Sequence, residues 1–306
     1  MWISTGFSIE MAKEDVLPAI HGGGRRILAP LRGVTIRPFR RVFADAIVQS
    51  GFVEAITPFI AANQGFDPLK DRELGSAEAI PVTPQFIGKD PAALRASLER
   101  IAAAGYMTAD LNCGCPYPMV RNKGRGSGLL RTPEILRQML EAGCQTMGPG
   151  RFSVKVRLGI DREDELLGLM RLFNGFPLRF ITVHARTAAE MYDGPCHRGM
   201  FAQIISQAEC PVVLNGDIPL TGEVEGIPPG ADVMIGRAFI RSLGDREDIG
   251  ELLDRYIELS RQELCGERPV LCRLKELLAY WKDLPRWRRR WQIAKRACSL
   301  REFRVW

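Results

Sequence analysis

The chain has 306 residues, of which 46% are hydrophobic and 25% charged, with a formal net charge of +6. That composition is of a water-soluble globular protein with room for one large barrel or two domains, and no apolar stretch approaches the ~20 residues that a bilayer-spanning helix needs. Eight scattered cysteines exclude a disulfide scaffold, and the expected setting is the cytoplasm.

Residues 1–24 read as an N-terminal extension. They carry Glu10, Glu14 and Asp15 without a continuous apolar core, so no secretory leader is expected. From there, short β-branched or apolar runs recur: Ile27–Pro30, Val53–Thr57, Thr83–Ile87, Ala109–Asn112, Phe152–Arg157, Phe180–His184, Val212–Asn215 and Val233–Gly236. Most start 20 to 32 residues apart, one strand-plus-helix unit each. Between them, Pro91–Ala104 and Thr132–Ala142 show apolar residues at three- and four-residue steps, with Asp90 and Thr132 as N-cap candidates. Eight alternating units predict an α/β fold, a (β/α)8 TIM barrel over residues 25–243. A doubly wound sheet is disfavoured, because no Gly-x-Gly-x-x-Gly opens the first unit.

The pattern then changes to three amphipathic helices, Asp248–Leu264, Leu271–Trp281 and Trp287–Ser299, with Pro285 separating the last two. Residues 244–306 are therefore expected to form a C-terminal helical domain. Glu267 to Trp306 hold twelve Lys/Arg against four Asp/Glu, a net of +8, and four of the five tryptophans. Basic residues interleaved with aromatics suit a polyanion surface, with Arg288, Arg289 and Arg290 on phosphates. They equally suit a helical bundle with a tryptophan core and a solvated arginine face. Cys144, Cys210, Cys265, Cys272 and Cys298 read as buried small hydrophobes, and no ligand spacing for a metal is visible around Cys113 and Cys115.

In such barrels functional groups sit where strands end. Here the ends deliver Pro30 and Leu31, Gln85, Asn112 with Cys115, Lys155, His184 with Arg186, Asn215-Gly216-Asp217, and Gly236-Arg237. A lysine between valines in a buried strand requires an anion or acceptor. Its options are a salt bridge to Asp110 or Asp217, or an electron-rich cofactor ring. The last two ends fall where barrels commonly bind phosphate. The set suits a phosphorylated planar cofactor. After Ala109–Cys113, the chain turns through Gly114 and Pro116, holding Cys115 at the mouth. The glycines of Lys123–Gly128 then form a loop that must approach something closely. Local alternation turns Cys113 away from Cys115.

Ala29–Thr35, Gln85–Gly88, Asp110–Pro116, Val154–Gly159, Val183–Thr187, Asn215–Asp217 and Ile235–Arg237 resemble, in order, successive motifs of the tRNA-dihydrouridine synthases. Arg273–Leu277 through Trp281 is similar to the start of that family's C-terminal helices. The Asn-Cys-Gly-Cys-Pro variant leans towards a bacterial, C-type subgroup. Ile36 and Ile56–Phe59 depart from acidic family positions, and Met191–Met200 is peculiar to this chain.

The resemblance implies an oxidoreductase with FMN as cofactor and NADPH as reductant, reducing a uridine of tRNA. It places Pro30, Leu31, Gln85, Lys155, His184, Asn215, Gly216, Asp217, Gly236 and Arg237 on the cofactor. Asn112, Tyr117 and Arg186 fall on the substrate side, with Cys115 as general acid. tRNA is the expected partner, with no membrane and no metal, and the expected state is a monomer. Two rivals stand beside this reading: an FMN barrel acting on a small molecule, as in dihydroorotate-type enzymes, and a non-catalytic RNA-binding barrel.

Overall fold

The computed structural model describes residues 24–75 and 78–303; the expectation for residues 1–23 lies outside them. Eight strands form the inner layer. The first is Arg26–Leu28, the second Phe52–Ile56 with Ile60–Ala61, and the third Val82–Thr83 with Gln85–Ile87. Ala109–Cys113, Phe152–Arg157, Ile181–His184, Val212–Asn215 and Val233–Ile235 follow.

Every pairing is parallel and between chain neighbours, and the first strand pairs with both the second and the eighth. The second and third are broken around Pro58 and Pro84, which lack the N–H a ladder needs. Their halves still pair, Ala55 with Val82 and Ile60 with Phe86, so the ring closes. The expected (β/α)8 barrel is the observed fold.

Alternation sorts the strands. Phe152, Val154, Val156, Ile181, Val183, Leu111 and Cys113 join the core between sheet and helices. Their neighbours in sequence, Ser153, Lys155, Arg157, Thr182, His184, Asp110 and Asn112, consequently face the barrel interior. A small apolar cluster, including Ile27, Ile56, Phe180, Val213 and Met234, also lies on the inner face of the strands. The upper layers are polar, and the site begins there.

Asp90 caps helix Pro91–Ala103 by accepting from the Ala92 amide at 3.0 Å. Thr132 holds the N-cap position of Pro133–Met147, its carbonyl accepting from the Leu136 amide at 3.0 Å, but its side chain makes no capping bond and its hydroxyl turns back to the Leu129 carbonyl at 3.4 Å. The C-terminal helices run Ile249–Glu263, Glu267–Leu278 and Pro285–Ala294, the last ending short of Ser299 before Leu300–Phe303. Pro285 occupies the first turn of its helix, where no N–H is required.

Two of the tail tryptophans are core. Trp281 and Trp287 are fully buried, and their indole N–H groups donate to the Ile240 and Gly244 carbonyls, each at 2.6 Å. A Cβ on Gly244 would meet Leu284 at 2.6 Å and Trp281 at 2.8 Å, so only glycine permits that docking. Cys265, Cys272 and Cys298 are exposed, against expectation: Cys265 and Cys298 lie in the bends after Ile249–Glu263 and Pro285–Ala294, and Cys272 lies off the buried face of Glu267–Leu278.

Candidate active site

The strand ends converge on a cavity of about 360 Å³, within the range of small-molecule sites. Among its lining residues are Pro30, Leu31, Asn112, Cys115, Tyr117, Lys155, His184, Asn215, Gly216, Asp217, Gly236 and Arg237. Twelve of the predicted residues are thus brought together, and five others that the sequence singled out lie elsewhere.

Gln85 does not reach the cavity. It has no exposed surface and hydrogen-bonds Asp110 and Asn112 one layer below. Arg186 is turned away, with 3% exposure, its Nη2 on Asp217 at 2.5 Å and on the Gly194 carbonyl at 2.6 Å. Arg288 and Arg289 are exposed on helix Pro285–Ala294, and Arg290 lies over the Trp287 ring at 5.5 Å. None of these three lines the cavity.

Cys115 occupies a turn clamped from three sides. The Asn112 Oδ1 accepts from the amides of Gly114 and Cys115, at 3.1 and 2.9 Å. Arg157 Nε donates to the Gly114 carbonyl at 2.9 Å, and Ser127 Oγ to that of Cys115 at 2.9 Å. The glycine-rich loop approaches Cys115 itself. Gly126 has φ +58°, and a Cβ there would lie 2.8 Å from that of Cys115. Burial raises the Cys115 thiol above its ordinary range, against the opposing Tyr117 amide and the Arg157, Arg32 and Lys155 cations. Cys113 is wholly buried in the core. Strict alternation would set it on the same face as Cys115; the Asn112-centred turn is what parts them.

Lys155 forms no salt bridge with Asp110 or Asp217. Its Nζ donates to Asn215 Oδ1 at 3.0 Å, and burial, aided by the Arg157 charge, pulls the ammonium down to about 7. His184 is held well below its usual range, first by burial and then by the Lys155, Arg157, Arg186 and Arg237 cations, so it stays neutral. Asp217 pairs with both Arg186 and Arg237. Beside it, Arg186 Nη1 and Arg198 Nε are buried without partners.

Several cavity residues escaped the sequence reading. Arg157 ties two loops, donating to the Gly114 carbonyl on one and, on the other, donating to the Thr187 carbonyl and lying 5.0 Å over the Tyr192 ring. Its inward facing follows from that of Lys155 two residues earlier. Tyr192 stands between Tyr117 and His184, with centroids at 6.1 and 6.3 Å. It sits on an irregular loop with no periodic signal. Tyr280 arrives from the C-terminal helices, placed there only by tertiary docking.

Among the described residues, no group of three or more His, Cys, Asp or Glu is placed to hold a metal ion. None of the described helices is long and apolar enough to cross a membrane.

Residues 27–242 match the sequence profile of the dihydrouridine synthase (Dus) family. The chain is 31% identical over 222 residues to tRNA-dihydrouridine synthase B of Pseudomonas aeruginosa, a match covering 70% of this chain but 65% of that protein. It is 30% identical over 275 residues to a probable tRNA-dihydrouridine synthase of Helicobacter pylori, covering 83% and 82%. A tRNA-dihydrouridine(16) synthase of Cupriavidus necator is 28% identical over 71% and 70%. Among solved structures, the old yellow enzyme homologue of Zymomonas mobilis superposes with a TM-score of 0.49 at 12% identity, covering 71% of this chain and 85% of that one.

Proposed function

Since the chain belongs to the dihydrouridine synthase family, we propose that it reduces a uridine of tRNA to dihydrouridine, with FMN as cofactor, NADPH as reductant and Cys115 as proton donor. The observation that carries this reading is the joint placement of Cys115, Lys155, His184 and Asn215 around one cavity. Lys155 enters it without a carboxylate partner.

The donor set fits a flavin phosphate. Lys155 offers a cation to an electron-rich ring edge, and neutral His184 adds no competing positive charge. Ala29, Pro30, Leu31 and Met234 supply an apolar wall. Gly216, Gly236 and Arg237 line the same cavity and offer backbone amides and a guanidinium to phosphate oxygens. Bound FMN, once reduced by NADPH, would supply the hydride to uracil C6.

The chain's own residues do the rest. Tyr117 and Tyr192 offer ring faces to a base drawn out of its stack. Cys115 holds a proton on Sγ, and its raised pKa keeps that proton in place at neutral pH for delivery to C5 from the opposite face. The clamped turn fixes where Sγ lies, so little reorganisation accompanies the transfer.

The test is direct. The purified protein should show flavin absorption bands, and with NADPH it should convert uridine to dihydrouridine in unmodified tRNA. A flavin-loaded protein that oxidises NADPH but leaves tRNA unchanged would favour the small-molecule rival. A protein that neither carries nor takes up flavin would favour the non-catalytic one.

A further inference from the structure

Asp110, Gln85 and Asn112 form a buried chain of hydrogen bonds ending on the backbone of Cys115. Asp110 Oδ1 accepts from Ser153 Oγ at 2.6 Å, and Oδ2 accepts from Gln85 Nε2 at 2.8 Å. Gln85 Oε1 accepts from Asn112 Nδ2 at 2.7 Å. Asn112 Oδ1 then accepts from the Gly114 and Cys115 amides.

Either primary amide could be turned over without changing its shape. What removes that freedom is the sign of the two ends. An ionised carboxylate only accepts and a main-chain N–H only donates. Gln85 must therefore show its NH₂ to Asp110 and its oxygen to Asn112, and Asn112 must show its oxygen to the turn. Reversing either amide would oppose acceptor to acceptor or donor to donor in a buried layer, where an unmade hydrogen bond is costly. Gln85 and Asp110 have no exposed surface, so water cannot relieve the mismatch.

We infer that Asp110 is a positioning residue, which acts through Gln85 and Asn112 to hold the Cys115 turn; its value to catalysis rests on Cys115 being the proton donor. The charged and titratable groups around Asp110 are Lys155 on the fifth strand, Glu54 on the second and Cys113 on its own strand. Burial raises the Asp110 carboxyl to about 6, against Ser153, Gln85 and Lys155, which lower it, while Glu54 raises it further. Below that pH, a proton on Asp110 introduces a donor, and its end of the chain loses its single sign.

The test is hydrogen exchange at the Gly114 and Cys115 amides, followed by mass spectrometry and normalised to intrinsic rates. Wild type, Gln85→Leu and Asp110→Asn are measured without RNA from pH 8 to pH 5. At pH 8, Gln85→Leu should lose roughly tenfold in protection, the equivalent of about one hydrogen bond. Asp110→Asn, like the protonated carboxyl, presents a donor as well as an acceptor, so at pH 8 it should already show the lower protection that wild type reaches in acid. Wild type should lose protection through about pH 6, whereas Asp110→Asn should lose no more.

Wild-type protection in Gln85→Leu overturns the inference. So does a flat wild-type profile, or an acid limb that survives in Asp110→Asn and so belongs to Lys155 or Glu54. If Gln85→Leu fails to fold, the wild-type and Asp110→Asn profiles decide alone. Flavin occupancy equal to wild type is expected in Gln85→Leu; its loss would put Gln85 on the cofactor and also overturn the inference. None of these measurements uses turnover. A protein that makes no dihydrouridine sinks the proposed function and leaves this inference to be judged separately.

Discussion

Cys113 and Cys115 stand two residues apart, one packed in the core and the other on the cavity wall. Cys115→Ala should keep fold and flavin yet lose roughly 10²- to 10⁴-fold in dihydrouridine formed per enzyme, the scale of one general acid. Cys113→Ala should cost only about 1 kcal/mol of stability, that of a methylene-sized group, with turnover near wild type. Equal losses of turnover in the two variants would refute this division.

Lys155 gives a pH prediction of definite sign. Its folded pKa, about 7, lies below the ordinary 10.5, so the unfolded chain holds the extra proton between those values. Flavin-free protein should therefore gain stability as pH rises from about 7 towards 10. A ligand that prefers the ammonium should bind up to about tenfold more weakly per pH unit above 7. FMN titrations from pH 6.5 to 9 should show that slope, and Lys155→Met should bind more weakly with a flat profile. A steep slope surviving in Lys155→Met would assign it to another group.

The sequence displayed Lys155, His184 and Asn215 well, because strict alternation and strand-end position are both written in it. Gln85 was misjudged for a physical reason. Inward-facing residues of different layers share the same parity, so periodicity does not reveal how deep a side chain lies. Tyr192 was illegible because an irregular loop has no period.

Helix Pro285–Ala294 resolves an ambiguity that composition left open. Its tryptophans could have been stacking platforms or core, since an i, i+4 pair of indoles serves either purpose. Trp287 is buried and Trp291 half-buried, while Arg288 and Arg289 face outward. An RNA surface here therefore consists of arginines, with the indoles beneath it. Arg290 is a poor probe, because its guanidinium covers Trp287 and its loss would disturb packing. The sharper test replaces Arg288 and Arg289 with serine. Losing two phosphate contacts should weaken tRNA binding and reduce the salt slope by about 1.4–1.8, with NADPH oxidation in the absence of RNA unchanged. An unaltered slope would make these arginines a solvated face and direct attention to Arg121, Lys123 and Arg125 beside the active-site turn.

Across the whole molecule, barrel and tail were legible as two kinds of pattern, a strand–helix alternation and then helices alone. Their contact was not. A docking surface is assembled from residues far apart in the chain, and neither period nor composition records it. Trp281 and Trp287 pack against helix Arg237–Leu243, which begins at the cavity, and Tyr280 reaches the cavity itself. The two regions should consequently melt as one unit. Trp281→Ala should cost about 3–5 kcal/mol and lower flavin retention along with stability. A chain cut after Gly244 should be insoluble rather than a flavin-binding barrel. Two separated transitions in calorimetry, or a soluble yellow truncation, would count against this coupling.

That same docking has a bearing on biosynthesis. The first strand waits for the eighth to close the ring, and the helix after the eighth waits for two indoles still further along the chain. The stretch from Gly244 to Leu300 takes a ribosome about 3–11 s at 5–20 residues per second. Throughout that interval a complete set of strands exists with one apolar flank bare. The nascent protein should therefore be most dependent on chaperones until Trp281 and Trp287 have docked, and a pause between Gly244 and Trp287 should cost more soluble product than one placed before the eighth strand.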